Sequence, residues 1–301
     1  MARLTLLLPA ASRFAGVALP PALAQALGRA DRARAVPGEP ELLARHFDLR
    51  PRGWPAAALT RLLDAGENEA RGATWLRADP AHIRPDINGA RLLGVGANLG
   101  MDQADVDALL PVLRPLFDDA GFMLDAPHPA RWYLRLPAGT PLPAFAPPEQ
   151  ALGDDVFEHA QRDDAARRWR VLESELQITL HNHPHNAARL ASGRVPVNAL
   201  WFWGGGDLPG AVSADAATVY SDDPAVLGAA RLGKLQGMPR PHSIRSKVLR
   251  WSTCAVSANR ARCLSTGWRR RPRAAKRFSI LPMACRSRCT AVSAGACGAG
   301  R

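Results

Sequence analysis

Hydrophobic positions in this chain fall mostly in short runs cut by Gly and Pro, with two long stretches of helical spacing among them. Leu4–Leu8 is a run of strand length, apolar apart from Thr5, and predicts a buried first strand. Helical spacing follows over residues 39–46 and 56–63, with Gly66 as a stop signal. Residues 73–77 and 91–95 read as strands, separated by the breakers Asp79-Pro80 and Arg84-Pro85-Asp86. Asp102 is placed to cap a helix reaching Ala120, with apolar positions Val106, Leu109, Leu110, Leu113, Leu116 and Phe117. Pro111 and Pro115 lie inside that stretch and predict a break or kink.

Residues 121–124 and 131–136 read as two paired strands; in the second, Trp132, Leu134 and Leu136 share one face and Arg131, Tyr133 and Arg135 the other. Residues 137–148 form a Pro/Ala linker. A firm amphipathic helix follows over residues 165–180, with Ala165, Trp169, Leu172 and Leu176 on one stripe. Residues 198–203 predict a buried strand that ends at Gly204, Gly205 and Gly206, so that the glycines form a tight connection leaving the sheet. Residues 216–220 predict a further strand, and Pro224 opens a helix towards Lys234. The sum is an α/β protein without internal repeats.

Charge divides the chain in two. Residues 237–301 contain no Asp or Glu, 15 of the 39 Lys and Arg, and all five cysteines, leaving 24 basic against 27 acidic residues in 1–236. The formal net charge of +12 therefore describes the tail alone. A basic arm for nucleic acid is one reading of it, carried by Trp268-Arg269-Arg270-Arg271-Pro272-Arg273. We favour another. Arg outnumbers Lys 36 to 3, as a GC-rich gene gives, and such a gene read out of frame yields Arg, Ala, Ser, Cys, Pro and Trp with few acids. The tail has that composition and no apolar period. We read residues 1–236 as the folded region and 237–301 as a disordered, frame-shifted tail, with nucleic-acid binding unlikely. Residues 1–236 hold no cysteine, which fits a reducing compartment, and no run of about 18 apolar residues marks a membrane span. The opening of the chain resembles a signal peptide, but Arg13 interrupts its apolar run, and a buried strand in a cytoplasmic protein is the expectation.

Two segments could carry chemistry. In Leu180-His181-Asn182-His183-Pro184-His185-Asn186 three histidines alternate, and imidazole is a common metal ligand. The segment sits at a helix end and has no carboxylate or thiolate at ligand spacing, so polar residues gathered at a turn account for it. In Trp201-Phe202-Trp203-Gly204-Gly205-Gly206-Asp207 the glycines could let backbone amides approach a phosphate. The spacing matches neither a dinucleotide nor a Walker loop.

Together, Trp75-Leu76-Arg77-Ala78-Asp79-Pro80-Ala81-His82, Arg131-Trp132-Tyr133-Leu134-Arg135, the His183-Pro184-His185-Asn186 segment and Val195-Pro196-Val197-Asn198 through Gly206 resemble the RpfE regulatory-protein family of Gram-negative bacteria, whose members are often labelled cofactor-independent phosphoglycerate mutases. The same blocks are similar, more faintly, to archaeal-type 2,3-bisphosphoglycerate-independent mutases. The resemblance implies an incomplete alkaline-phosphatase-like core with an inserted α+β subdomain. It marks His183, Asn186, Asn198, Gly204, Gly205, Gly206, Asp79 and Asp207 as candidate ligand or junction residues. The mutases of that group use two metal ions and a phosphate-accepting Ser, and their first strand ends in an Asp ligand. Here that strand ends Leu8-Pro9-Ala10, and no acid follows residue 237. The expectation is a degenerate, regulatory member needing no cofactor, with an unknown small phosphorylated ligand or a protein partner. Mn or Mg would enter only if the alternative, a working mutase, took carboxylates from elsewhere, such as Asp79, Asp86 or Asp207.

Overall fold

A computed structural model describes residues 4–8, 20–31, 33, 38–87, 89–160, 164–240, 253–256 and 278–282. The chain runs β1 (Leu4–Leu8), α1 (Pro21–Gly28), α2 (Glu39–Leu43), β2 (Phe47–Arg50), α3 (Ala56–Ala65), α4 (Glu67–Ala70), β3 (Thr74–Asp86), β4 (Gly89–Val95) and α5 (Gln103–Asp119). It continues through β5 (Met123–His128), β6 (Arg131–Leu136), α6 (Pro148–Ala151), α7 (Asp164–His181), α8 (Pro184–Ala191), β7 (Ala199–Asp207), β8 (Ala211–Ala214), β9 (Thr218–Tyr220), α9 (Pro224–Leu232) and β10 (Gln236–Met238), and ends with β11 (Thr253–Val256) and β12 (Phe278–Pro282).

The organising element is β3. At 13 residues it is long enough to change partners along its length, pairing antiparallel with β6 over Thr74 to Arg77, with β4 from Ala81 to Asp86, and with β7 on its other edge. Asp79-Pro80 and Arg84-Pro85-Asp86 do not break it, contrary to the expectation from sequence. Pro80 falls where β6 has left and β4 has not begun, and Pro85 lies near the exposed hairpin end, so the missing N–H groups cost the ladder little.

Side chains alternate across this sheet and divide the interior into two main cores. Leu76, Ala78, Trp132, Leu134, Leu136, Leu200 and Phe202 point to one side, where α5 and α7 cover them with Leu109, Leu113, Phe117, Trp169, Leu172 and Leu176. Phe202 sits among the rings of Phe117, Phe145 and Trp169. Trp75, Tyr133 and Trp203 point to the other side, onto α3 and a core built with β2, β8, β9 and α9. There α9 crosses α3 so closely that a Cβ on Gly228 would lie 2.1 Å from the Leu59 carbonyl oxygen. Any larger residue would force the helices apart.

The long helix α5 is continuous. Pro111 and Pro115 both lie on its solvent face, where the carbonyls of Asp107 and Pro111, deprived of an N–H partner, can bond water instead. Residues 198–203 also extend further than expected: β7 runs through all three glycines to Asp207, which pairs with Thr74. β10 crosses the boundary placed at 236. It pairs with β9, and Arg240 binds Asp222 at 2.8 Å. Two segments of the tail are strands that take both edges of β1: β11 pairs antiparallel with β1 and β9, and β12 lies parallel to β1. Beyond residue 240 the other tail residues lie outside the described part, as do the five cysteines except Cys254.

Candidate functional site

Charged side chains gather in two places that the apolar pattern does not reveal. The first lies between α3 and the sheet. Arg77 and Asp79, two apart on β3, share the face turned towards α3, and both are almost completely buried. The Arg77 guanidinium lies between the rings of Tyr133 and Trp203, 5.2 and 5.1 Å from their centroids. It donates from Nη2 to both carboxylate oxygens of Asp79, at 2.7 and 2.8 Å, and from Nε at 3.0 Å. Asp79 also accepts from the Trp203 indole at 2.8 Å and from the Trp132 amide at 3.2 Å. Each lone pair a metal ion could use therefore already faces a donor.

A second tier continues the network. Arg131 grips Asp64 of α3 through Nε and Nη2 at 2.7 and 2.5 Å, and the Tyr133 hydroxyl donates to the same carboxylate at 2.5 Å. Burial opposes ionisation of Asp64, but these bonds prevail and hold its carboxyl below the ordinary range. Burial pushes the Tyr133 phenol up, so it stays a donor. Arg61 pairs with Asp125 and lies 4.6 Å from the Trp75 ring centroid. Three arginines are matched by three aspartates.

The other cluster joins α5 to α8 and contains most of the His/Asn segment. Asp105, fully buried, closes a capping box with Asp102 at the start of α5. Its carboxylate also binds Arg189 Nη1 at 2.5 Å and His185 Nε2 at 2.7 Å. Arg189 is equally buried, and its remaining donors reach the carbonyls of Leu99 and Val195. Although burial resists it, the bonds from Arg189 and His185 hold the Asp105 carboxyl down at about 2.

Pro184 occupies the first turn of α8, a helix the sequence pattern did not predict. His183 caps it, with Nδ1 accepting from the His185 amide at 3.3 Å. Burial and the neighbouring His185 push the His183 imidazole below its usual range, which keeps that nitrogen available as an acceptor. Asn186 is buried. Its amide donates to the carbonyls of Leu180 and Val197 and its oxygen accepts from the Val197 amide, so one side chain satisfies a carbonyl in the last turn of α7 and both backbone groups of Val197 ahead of β7. Asn198 does the same for Ile83, accepting from its amide at 2.8 Å and donating to its carbonyl at 2.7 Å. Replacing His183 with Ala is expected to lower stability by about 1 kcal/mol, the usual cost of losing a helix cap, in thermal unfolding followed by circular dichroism. An unchanged melting temperature would contradict the capping role.

The glycines have a packing reason. Gly204 has φ +64° and Gly206 φ +146°, and Cβ atoms there would lie 2.9 Å from Ala56 Cβ and 2.9 Å from Pro55 Cβ respectively. The start of α3 rests directly on this stretch of β7. Asp207 accepts from the Thr74 hydroxyl, and Asp86 pairs with Arg91 at 2.5 Å. Asp79, Asp86 and the Thr74–Asp207 pair are strung along β3, over roughly 40 Å at the usual rise per strand residue. The structure does not bring these carboxylates together. Among the described residues, no three His, Cys, Asp or Glu side chains are arranged to hold a metal ion, so the residues described do not fit the two-metal centre that the resemblance implies.

Arg61, Asp64, Asp105, Arg131 and Arg189 were not singled out from the sequence. The one signal was the alternation in β6, which set Arg131 and Tyr133 on the face opposite the apolar one.

No protein-family model matches the chain. A stretch of 63 residues, 21% of the chain, is 38% identical to a probable 2,3-bisphosphoglycerate-independent phosphoglycerate mutase of Geobacter sulfurreducens. A stretch of equal length is 32% identical to the 2,3-bisphosphoglycerate-independent phosphoglycerate mutase of Methanothrix thermoacetophila. Part of the chain is thus similar to phosphoglycerate mutases. The matched stretch spans only 16% of the length of each relative. Among solved structures, the chain is similar to a cofactor-independent phosphoglycerate mutase from Thermoplasma acidophilum, with a TM-score of 0.35 and 18% identity over 57% of this chain and 48% of that one. It is also similar to the PH0037 protein from Pyrococcus horikoshii, with a TM-score of 0.30 and 16% identity over 61% and 42% of the two chains.

Proposed function

We propose that this protein is a mutase-like regulatory protein of the RpfE type, without metal-dependent phosphoryl transfer, acting in the cytoplasm through a small phosphorylated ligand or a protein partner. The observation that carries this reading is the state of the Asp79 carboxylate. It is the most deeply buried of the candidate ligands, and Arg77, Trp203 and the Trp132 amide already satisfy it. A metal ion could take it only by displacing a buried guanidinium, which would leave a positive charge without a partner. The sequence adds support, since the first strand ends without a carboxylate and residues 237–301 contain none. Among the described residues no helix is long and apolar enough to cross a membrane.

The similarity of the 63-residue stretch to phosphoglycerate mutases favours a second reading, a working mutase. An assay separates the two. Purified full-length protein supplied with 3-phosphoglycerate and Mn²⁺ or Mg²⁺ is expected to give no turnover above background. A clear rate that EDTA abolishes would establish the mutase instead.

A further inference from the structure

Beyond its last pairing with β7 at Ala81, β3 runs on with β4 as a two-stranded arm. A third, small core lies at the root of this arm, and it is only half covered: Ile83, Leu152, Val156 and Trp201 pack against it and are themselves half-buried. Two large apolar side chains stand further out. Ile87, at the tip of the arm, is 96% exposed, and Phe157, in the short helical turn Val156–Glu158, is 59% exposed. The two belong to one surface. The Asp155 carboxylate, two residues before Phe157, fills the space beside Gly89 and accepts from the Ala90 amide at 3.3 Å. Gly89 is two residues beyond Ile87. A single exposed Ile or Phe is ordinary, but two beside a half-covered core mark a docking surface.

The backbone decides how a partner could bind there. The Leu92 amide donates to the Asp154 carbonyl at 3.4 Å, and the Leu92 carbonyl accepts from the Gly153 amide at 2.9 Å. The outer edge of β4 is therefore taken at that point, which leaves docking to side chains rather than to an added strand. The same bonds, with Arg91 Nη1 on the Gly153 carbonyl at 2.9 Å, brace the arm, so little freedom is lost when it docks.

The charges at the rim point to the occupant. Arg91 is held by Asp86, and Asp154 by His159. Arg84 and Glu158 are exposed, and among the described residues neither side chain has a hydrogen bond or ion pair. One free charge of each sign beside an apolar centre is self-complementary, as a two-fold interface requires. We propose that the chain forms a homodimer through this surface, with Ile87 and Phe157 at its centre and Arg84 of each subunit facing Glu158 of the partner subunit.

Sedimentation velocity of the full-length protein over a concentration series reaching about 100 µM tests this. The wild type is expected to shift from monomer to dimer along the series. Ile87→Asn and Phe157→Ser should each weaken association by about tenfold or more, with an unchanged melting temperature because both side chains are exposed. Arg84→Glu alone and Glu158→Arg alone should also weaken it, whereas the double reversal should restore it. A wild type that stays monomeric throughout, a dimer that survives both apolar substitutions, or a double reversal that fails to restore association would overturn the proposal.

Discussion

Replacing Asp105 with Ala is expected to be among the most damaging single substitutions in this protein, costing about 3–5 kcal/mol, because it leaves the Arg189 guanidinium charged and fully buried with its carboxylate removed. The loss of the capping box at the start of α5 adds about 1 kcal/mol. Folded domains of this size are stable by only about 5–15 kcal/mol, so the variant is expected to lose roughly 10 °C or more in melting temperature. The pH dependence supplies an independent check. The Asp105 carboxyl is depressed to about 2, so its contribution is fully present above its ordinary value of 3.8 and is lost as pH falls through 2. The acid limb of the stability curve between those values should be shallower in the variant than in the wild type. A variant with wild-type stability would show that the α5–α8 junction holds without its ion pair.

Asp79→Ala is expected to cost a similar 3–5 kcal/mol for the same electrostatic reason, since Arg77 is buried between two aromatic rings and would lose the carboxylate it is paired with. The Trp203 indole and the Trp132 amide would lose their acceptor at the same time. The double variant Arg77→Met/Asp79→Leu removes both charges together and should be markedly more stable than Asp79→Ala alone. Denaturant unfolding of the wild type and both variants measures this directly. If Asp79→Ala left stability intact but abolished binding of Mn²⁺ measured by calorimetry, Asp79 would be a metal ligand, and the structural role assigned to it would be wrong.

Local periodicity determines much of what is seen. The strand at Leu4–Leu8, the helix capped by Asp102, the amphipathic stripe through Trp169, Leu172 and Leu176, and the two-faced β6 all follow from the spacing of apolar side chains, because burial rewards that spacing whatever the partner. The same logic places Trp201 and Trp203 opposite Phe202. Where local rules failed, the cause was a neighbour. Pro80 is tolerated within β3 because β6 and β4 leave a gap beside it, and Pro111 and Pro115 because water reaches that face of α5. A one-dimensional pattern carries no information about which edge of a strand is paired.

The charged clusters were less legible still. A lone Arg or Asp reads as a surface residue, since burying one without a partner is prohibitively costly. Asp105 and Arg189 are separated by 84 positions, and Asp64 and Arg131 by 67. Only the packing of α5 against α8, and of α3 against the sheet, brings each pair within hydrogen-bonding distance. The sequence by itself determined which side chains must leave water and the local elements that hide them. The tertiary structure alone decided which charges could follow them inside, because a buried charge is stable only beside its counter-charge, and that pairing is set by contacts between distant segments.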